Sequence, residues 1–148
     1  MAQAGRVVTF RYMLDTDVCV HLLRRHTPPA LERRFREASF QIALSTIALS
    51  ELRVGLGKRD QTAQSQDRFY RLIDGLLIAD FDASAAEHAA DIRCDLESLG
   101  RKIGPLDTLI AGHARSAGAV LVTGNLREFS RVSGLRCEDW LSVSGFQE

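Results

Sequence analysis

GPLDTLIAGHARSAGAVLVTGN, residues 104–125, holds a helix and a buried strand joined by one glycine, and its reading decides the fold. Gly104-Pro105 opens the helix with proline at its first position, where the missing N–H is not needed. Gly118 closes it, as glycine does at a left-handed helix end. Ala119-Val120-Leu121-Val122-Thr123 then runs apolar without alternation, the pattern of a strand covered on both faces. A helix feeding directly into such a strand points to α/β architecture.

The same alternation extends in both directions. Tyr12-Met13-Leu14 is a short apolar run ending at Asp15, followed by a helical stretch over about 17–25. Thr27-Pro28-Pro29 breaks the chain before a second helix that runs to about Ala38. Phe40 to Leu44 reads as the next strand, with Ser45 or Thr46 capping a helix through Leu56 that Gly57 closes. A helix over 62–73 leads to a strand at Leu76 to Ala79. Asp82 or Ser84 then caps a long helix that stops at Gly100. A last strand is expected near Leu135 to Trp140. The sum is an α/β/α sandwich on a central parallel sheet of about five strands, whose ligand crevice lies at the carboxyl ends of the strands. Residues 1–10 read as an N-terminal extension, either a disordered tail or the product of a start set too far upstream. Residues 11–148 read as one domain.

The totals fit this picture. At 148 residues the chain suits one domain, and 45% apolar with 26% charged residues is ordinary for a globular protein. No apolar run approaches the roughly 20 residues needed to cross a bilayer. The opening MAQAGRVVTFRY lacks a signal-peptide core, so the protein is expected in the cytoplasm with no membrane partner. Three widely spaced cysteines, Cys19, Cys94 and Cys137, form neither a disulfide framework nor a zinc pattern. Formal net charge is zero, so bulk charge does not announce a polyanion-binding surface. Of the 19 basic residues all but Lys58 and Lys102 are arginine, whose planar fork suits phosphate, although a GC-rich genome gives the same bias.

Four oxygen-bearing side chains fall at or just after strand ends. Asp15 follows the first strand, where it either caps the next helix or serves a site; Asp17 has the same alternatives. Glu51 shares its helix face with Ile47, Ala48, Val54 and Gly55, an inward face on which a lone carboxylate is costly unless paired or metal-bound. Asp107 shares its face with Ile103, Gly104, Ile110 and Ala111. The helix dipole explains an acid in the first turn, but not its inward direction. Asn125 follows the strongest strand and either serves a turn or offers an amide oxygen, with Glu128 close by to supply charge. An all-oxygen set rich in carboxylates suits Mg²⁺ or Mn²⁺ rather than zinc. His21, His26, His88 and His113 have no ligand spacing among them. Carboxylate-held Mg²⁺ is the usual apparatus for phosphodiester hydrolysis.

In order and spacing, Met13-Leu14-Asp15-Thr16-Asp17, Ser50-Glu51-Leu52-Arg53-x-Gly55, Gly104 through Ala111 and Leu121 through Phe129 resemble the motifs of VapC-type PIN-domain ribonuclease toxins. The tail from Arg131 to Trp140 resembles them too. The resemblance implies a PIN fold and Mg²⁺- or Mn²⁺-dependent endonucleolytic cleavage of RNA, with Asp15, Glu51 and Asp107 as catalytic metal-binding acids. Asn125 falls where many PIN domains carry a fourth acid. A VapC branch with Asn there cleaves initiator tRNA in its anticodon stem-loop, which implies tRNA as substrate and inhibition of translation. The resemblance further implies a homodimer and a cognate VapB-type antitoxin that occludes the active site and alone contacts DNA. Asp17 stands where Asn is usual, and Gly124 where a larger residue is common.

Rival readings have less support. Asp15-Thr16-Asp17 also fits the nucleophile motif of a haloacid-dehalogenase phosphatase, but that mechanism needs a downstream lysine and none follows Lys102. A receiver-like interaction module leaves Glu51 and Asp107 without partners. A dead nuclease acting only through its antitoxin does not account for all three acids, although Asn125 in place of a fourth acid leaves that reading open.

Overall fold

In the computed structural model, residues 9–58 and 62–142 are described. Five parallel strands form the sheet: β1 (Tyr12–Leu14), β2 (Ile42–Ser45), β3 (Leu77–Ala79), β4 (Val120–Val122) and β5 (Cys137–Glu138). Their order is β3-β2-β1-β4-β5, so the chain steps outward from β1 on one side and then returns to its other side. Tyr12 pairs with both Ile42 and Val120, which fixes β1 between β2 and β4. The strand order therefore reverses between β1 and β4, and in a sheet of this kind the crevice opens there, beyond the strands' carboxyl ends. The expected parallel α/β sandwich is what forms.

Among the described residues seven helices flank the sheet: α1 (Thr16–Leu23), α2 (Pro29–Glu37), α3 (Thr46–Lys58), α4 (Ala63–Asp74), α5 (Ala83–Ser98), α6 (Pro105–Ser116) and α7 (Leu126–Phe129). Their starts follow local chemistry. Pro29 and Pro105 occupy first helical positions. Thr62 and Asp82 cap α4 and α5 by accepting from Ser65 N and Ala85 N. Ser45, rather than Thr46, receives the Ile47 N–H at 3.1 Å at the start of α3, while the Thr46 hydroxyl accepts from Phe81 N.

The core lies on both faces of β1, β2 and β4, around Met13, Leu14, Leu44, Leu121 and Val122, all fully buried. The α5–α6 contact is especially close. A Cβ on Gly112 would come within 2.6 Å of Ala89 Cα, so glycine alone lets these backbones approach.

Some boundaries differ from the sequence reading. Phe40 lies outside β2, 93% exposed and with φ at 70°, because the backbone turns there before the strand begins. α3 continues through Gly57 to Lys58. β5 is only two residues long. Residues 1–8 of the expected extension lie outside the described residues, while Phe10 packs against the core. Among the described residues no helix is long and apolar enough to cross a membrane.

Candidate active site

Asp15 sits at the switch point, its backbone N–H bonded to Val122 O at 2.9 Å across the β1–β4 seam. It occupies the N-cap position of α1, yet its side chain makes no capping bond. Instead Oδ2 accepts from the Thr123 hydroxyl at 2.8 Å. The Thr123 hydroxyl, just past the end of another strand, therefore holds this 3% exposed carboxylate together with the backbone N–H groups of Thr16 and Asp17. Burial raises its pKa, the Thr123 bond opposes that, and nearby Asp17 adds to the rise.

Glu51 lies in the second turn of α3, directly after β2. Its Oε1 accepts from the Thr16 hydroxyl at 2.8 Å, which ties α3 to the first residue of α1. It is half-buried rather than packed away, and opens onto a cavity of about 290 Å³ between α1, α3 and α4. Val20, Leu52 and Phe69 give that cavity an apolar floor, while Arg24, Arg25 and Arg68 line it as well.

Asp107 stands in the first turn of α6. It is half-buried, and its carboxyl is pushed up to about 7. Burial is the largest cause, followed by the negative charges of Asp15, Glu128, Glu51 and Asp17. The last four contributions show that four acids from three separate segments bear on one point. Gly104 adjoins it closely, since a Cβ there would lie 3.1 Å from Asp107 Oδ2.

Asn125 heads α7 without capping it. Its backbone N–H donates to Thr123 Oγ1 at 3.0 Å and its side-chain amide to Glu128 Oε2 at 2.8 Å. Glu128 Oε1 also accepts from Gly104 N at 3.4 Å. Glu128 thus brings negative charge to the side where Asn125 has none.

The structure gathers Asp15, Glu51 and Asp107 around one strand-end crevice, with Asn125 and Glu128 along its edge. Sequence reasoning assigns no role to Thr16 and Thr123, the two hydroxyls that hold Glu51 and Asp15. Their only signal is position, one residue after an acid and one residue after a buried strand. His113 plays no part: it is buried, bonded to Ser45 Oγ at 2.8 Å and stacked edge-on to Phe81. Burial also lowers its pKa.

The donor set is entirely oxygen, and its members repel one another, as a site does that is built for added positive charge. Among the described residues no three of His, Cys, Asp and Glu converge closely enough to hold a metal ion by themselves. Mg²⁺ usually takes one or two carboxylates and completes its shell with water and substrate phosphate, so such an ion would need ligands besides these side chains.

Comparison with known proteins gives concordant results. The PIN domain family model matches residues 12–135. The tRNA(fMet)-specific endonuclease VapC of Shigella flexneri is 40% identical over 134 residues, covering 88% of this chain and 98% of that protein. A chain in the DNA-bound VapBC structure from Salmonella typhimurium superposes with a TM-score of 0.84 at 38% identity, covering 89% of this chain and 99% of that one. One in the promoter-DNA-bound VapBC structure from Rickettsia felis gives 0.82 at 35% identity, covering 88% and 99%.

Proposed function

Because the chain belongs to the PIN-domain family, and within it to the VapC ribonucleases, we propose that it is a divalent-metal-dependent endoribonuclease toxin that cleaves tRNA in the cytoplasm. The observation that carries this reading is the convergence of carboxylates on Asp107, which leaves the crevice short of positive charge.

Asp15, Glu51 and Asp107, with the amide oxygen of Asn125, are the groups that would hold Mg²⁺ or Mn²⁺ there. When bound, such an ion lowers the pKa of water and neutralises charge on the phosphodiester. The chain's own residues do the positioning. Thr123 fixes one oxygen of Asp15 and so sets the direction of the other. Thr16 does the same for Glu51. Asp107, held near neutrality by burial and the neighbouring acids, must give up its proton for an ion to bind there. Asn125 is oriented by Glu128. Initiator tRNA is the proposed substrate, on the strength of the Shigella relative named for it.

The solved relatives are VapBC assemblies, two of them on DNA, which supports a cognate VapB-type antitoxin and contact with DNA through that antitoxin only. The groove beside Glu51, with its apolar floor and three arginines, suits a peptide segment of such a partner. A homodimer is part of the same proposal.

The test is expression of the chain with and without Asp107→Asn, followed by sequencing of the cut ends of total RNA. Growth arrest with discrete cuts that the substitution abolishes supports the nuclease and names its target. Intact RNA and equal growth from soluble, antitoxin-free protein refute it.

A further inference from the structure

Zero formal net charge means that any affinity for a polyanion must come from local segregation of charge. One place shows it. Gly100 ends α5 with φ at 66°, and the chain beyond it meets α7. The two segments enclose a shallow groove of about 420 Å³ lined by Gly100, Arg101, Lys102, Arg127, Ser130 and Arg131. Four of these six residues are cationic, none is acidic, and all but Gly100 expose their side chains to solvent. Among the described residues none of the four cations is in an ion pair, while Glu97 on α5 is near enough for the Lys102 charge to act on it.

The groove adjoins the carboxylate crevice through the same two segments. Arg131 Nη1 donates to Lys102 O at 3.4 Å, and two residues further along that loop Gly104 N meets Glu128 Oε1 at 3.4 Å. Arg127 is next in sequence to Glu128, which holds the Asn125 amide at the crevice edge. A cationic groove thus stands beside an anionic crevice, tied to it at two points.

We propose that Arg101, Lys102, Arg127 and Arg131 hold the phosphate backbone of the RNA beside the bond to be cut. This assignment rests on the nuclease reading above. A crevice rich in carboxylates repels RNA, so substrate needs a cationic hold close by. Arginine forks bind phosphate oxygens in pairs, and the solvated rim lets several successive phosphates engage. The contacts carry no sequence information; they set where along the strand the crevice falls.

The test uses a fluorescein-labelled RNA stem-loop, with binding followed by anisotropy between 50 and 200 mM salt (about a fourfold range, as used for such slopes). The protein carries Asp107→Asn to prevent turnover, with or without glutamine at all four positions. Four lost phosphate contacts are expected to reduce the log–log salt slope by about 3, so that binding of the parent falls about 60-fold more across that range. Glutamine at the ion-paired Arg36, Arg71 and Arg93 is expected to leave the slope of the parent in place. In parallel, otherwise wild-type protein with and without the four substitutions is given Mn²⁺ and the same RNA. Cleavage slowed at low RNA concentration and restored at high concentration supports a binding role. An unchanged slope from protein that still cleaves overturns the groove and leaves the nuclease standing. Failure of the unsubstituted protein to cleave overturns the nuclease reading and the groove with it.

Discussion

The Thr123 hydroxyl donates to Asp15 Oδ2 at 2.8 Å while accepting from Asn125 N at 3.0 Å, so one buried oxygen joins the end of β1 to the turn after β4. Both bonds lie where strand order reverses. Thr123→Val keeps the shape of the side chain and removes both. It leaves the Asn125 N–H without its partner and a 3% exposed carboxylate without its side-chain donor. The expected outcome is a loss of about 1–3 kcal/mol in stability and a 10- to 100-fold fall in metal affinity, as for other groups that orient a ligand. Thr123→Ser is expected to recover most of both. Urea unfolding and a Mn²⁺ titration measure the two effects; wild-type affinity in the valine variant would remove Thr123 from the site.

Asp107 supplies a pH signature. Its pKa rises from 3.8 to about 7 on folding, so the folded chain holds a proton that the unfolded chain releases. The stability this gives is complete below about pH 4 and lost as pH rises through 7. In metal-free protein Asp107→Asn is therefore expected to stabilise at pH 8 and to do so far less at pH 4. Because the group is half exposed, the gain is on the order of 1 kcal/mol rather than the full shift. Metal binding selects the ionised form, so calorimetry in two buffers should show about half a proton released at pH 7 and almost none at pH 9. Equal release at both values would place the titrating group elsewhere.

Packing far from the crevice bears on it through α6. Gly112 lies one and a half turns beyond Asp107, and a Cβ there would come within 2.5 Å of Ala89 N. Because the obstacle is backbone, Gly112→Ala must push α6 away from α5. An overpacked contact of this kind costs about 1–3 kcal/mol, a drop of several degrees in Tm. The same shift moves Asp107, so activity should fall further than the lost stability explains. Gly55→Ala, half-buried at the open cavity beside Glu51 with nothing within 4 Å of the new Cβ, is the control and should leave Tm unchanged or higher.

The legible part of the fold is the part that local chemistry dictates. Pro105 and Gly118 bracket α6, and the apolar run after it is β4 to within a residue. Phe40 misleads because its apolar ring continues the pattern of β2, while its backbone takes the left-handed conformation of a turn. β5 is shorter than its apolar residues suggest, because an edge strand needs only the partners that β4 offers. For the site, helix periodicity reads the faces of Glu51 and Asp107 as inward, yet both residues are only half-buried, and Val54 on the Glu51 face is 53% exposed. Spacing along the chain cannot give Thr123 against Asp15, since that bond spans 108 residues and depends on β1 and β4 being neighbours. Nor does it show which side of Glu128 meets Asn125, which is set by the single turn of α7.

That turn provides the last test. Glu128 Oε2 holds the Asn125 amide at 2.8 Å, and its charge is among the causes that lift Asp107. Two roles follow, orienting Asn125 and adding charge, and they separate by substitution. Glu128→Gln keeps an acceptor for the amide but removes the charge. If charge matters, Mn²⁺ affinity falls about 10-fold. Proton release at pH 7 also shrinks, because Asp107 returns towards an ordinary carboxylate. Asn125→Ala removes the amide and keeps the charge, so it should weaken binding while leaving proton release close to the wild-type value. A Glu128→Gln variant with wild-type affinity and wild-type proton release would show that the charge acts on neither the metal nor Asp107, leaving Glu128 only the work of orienting Asn125.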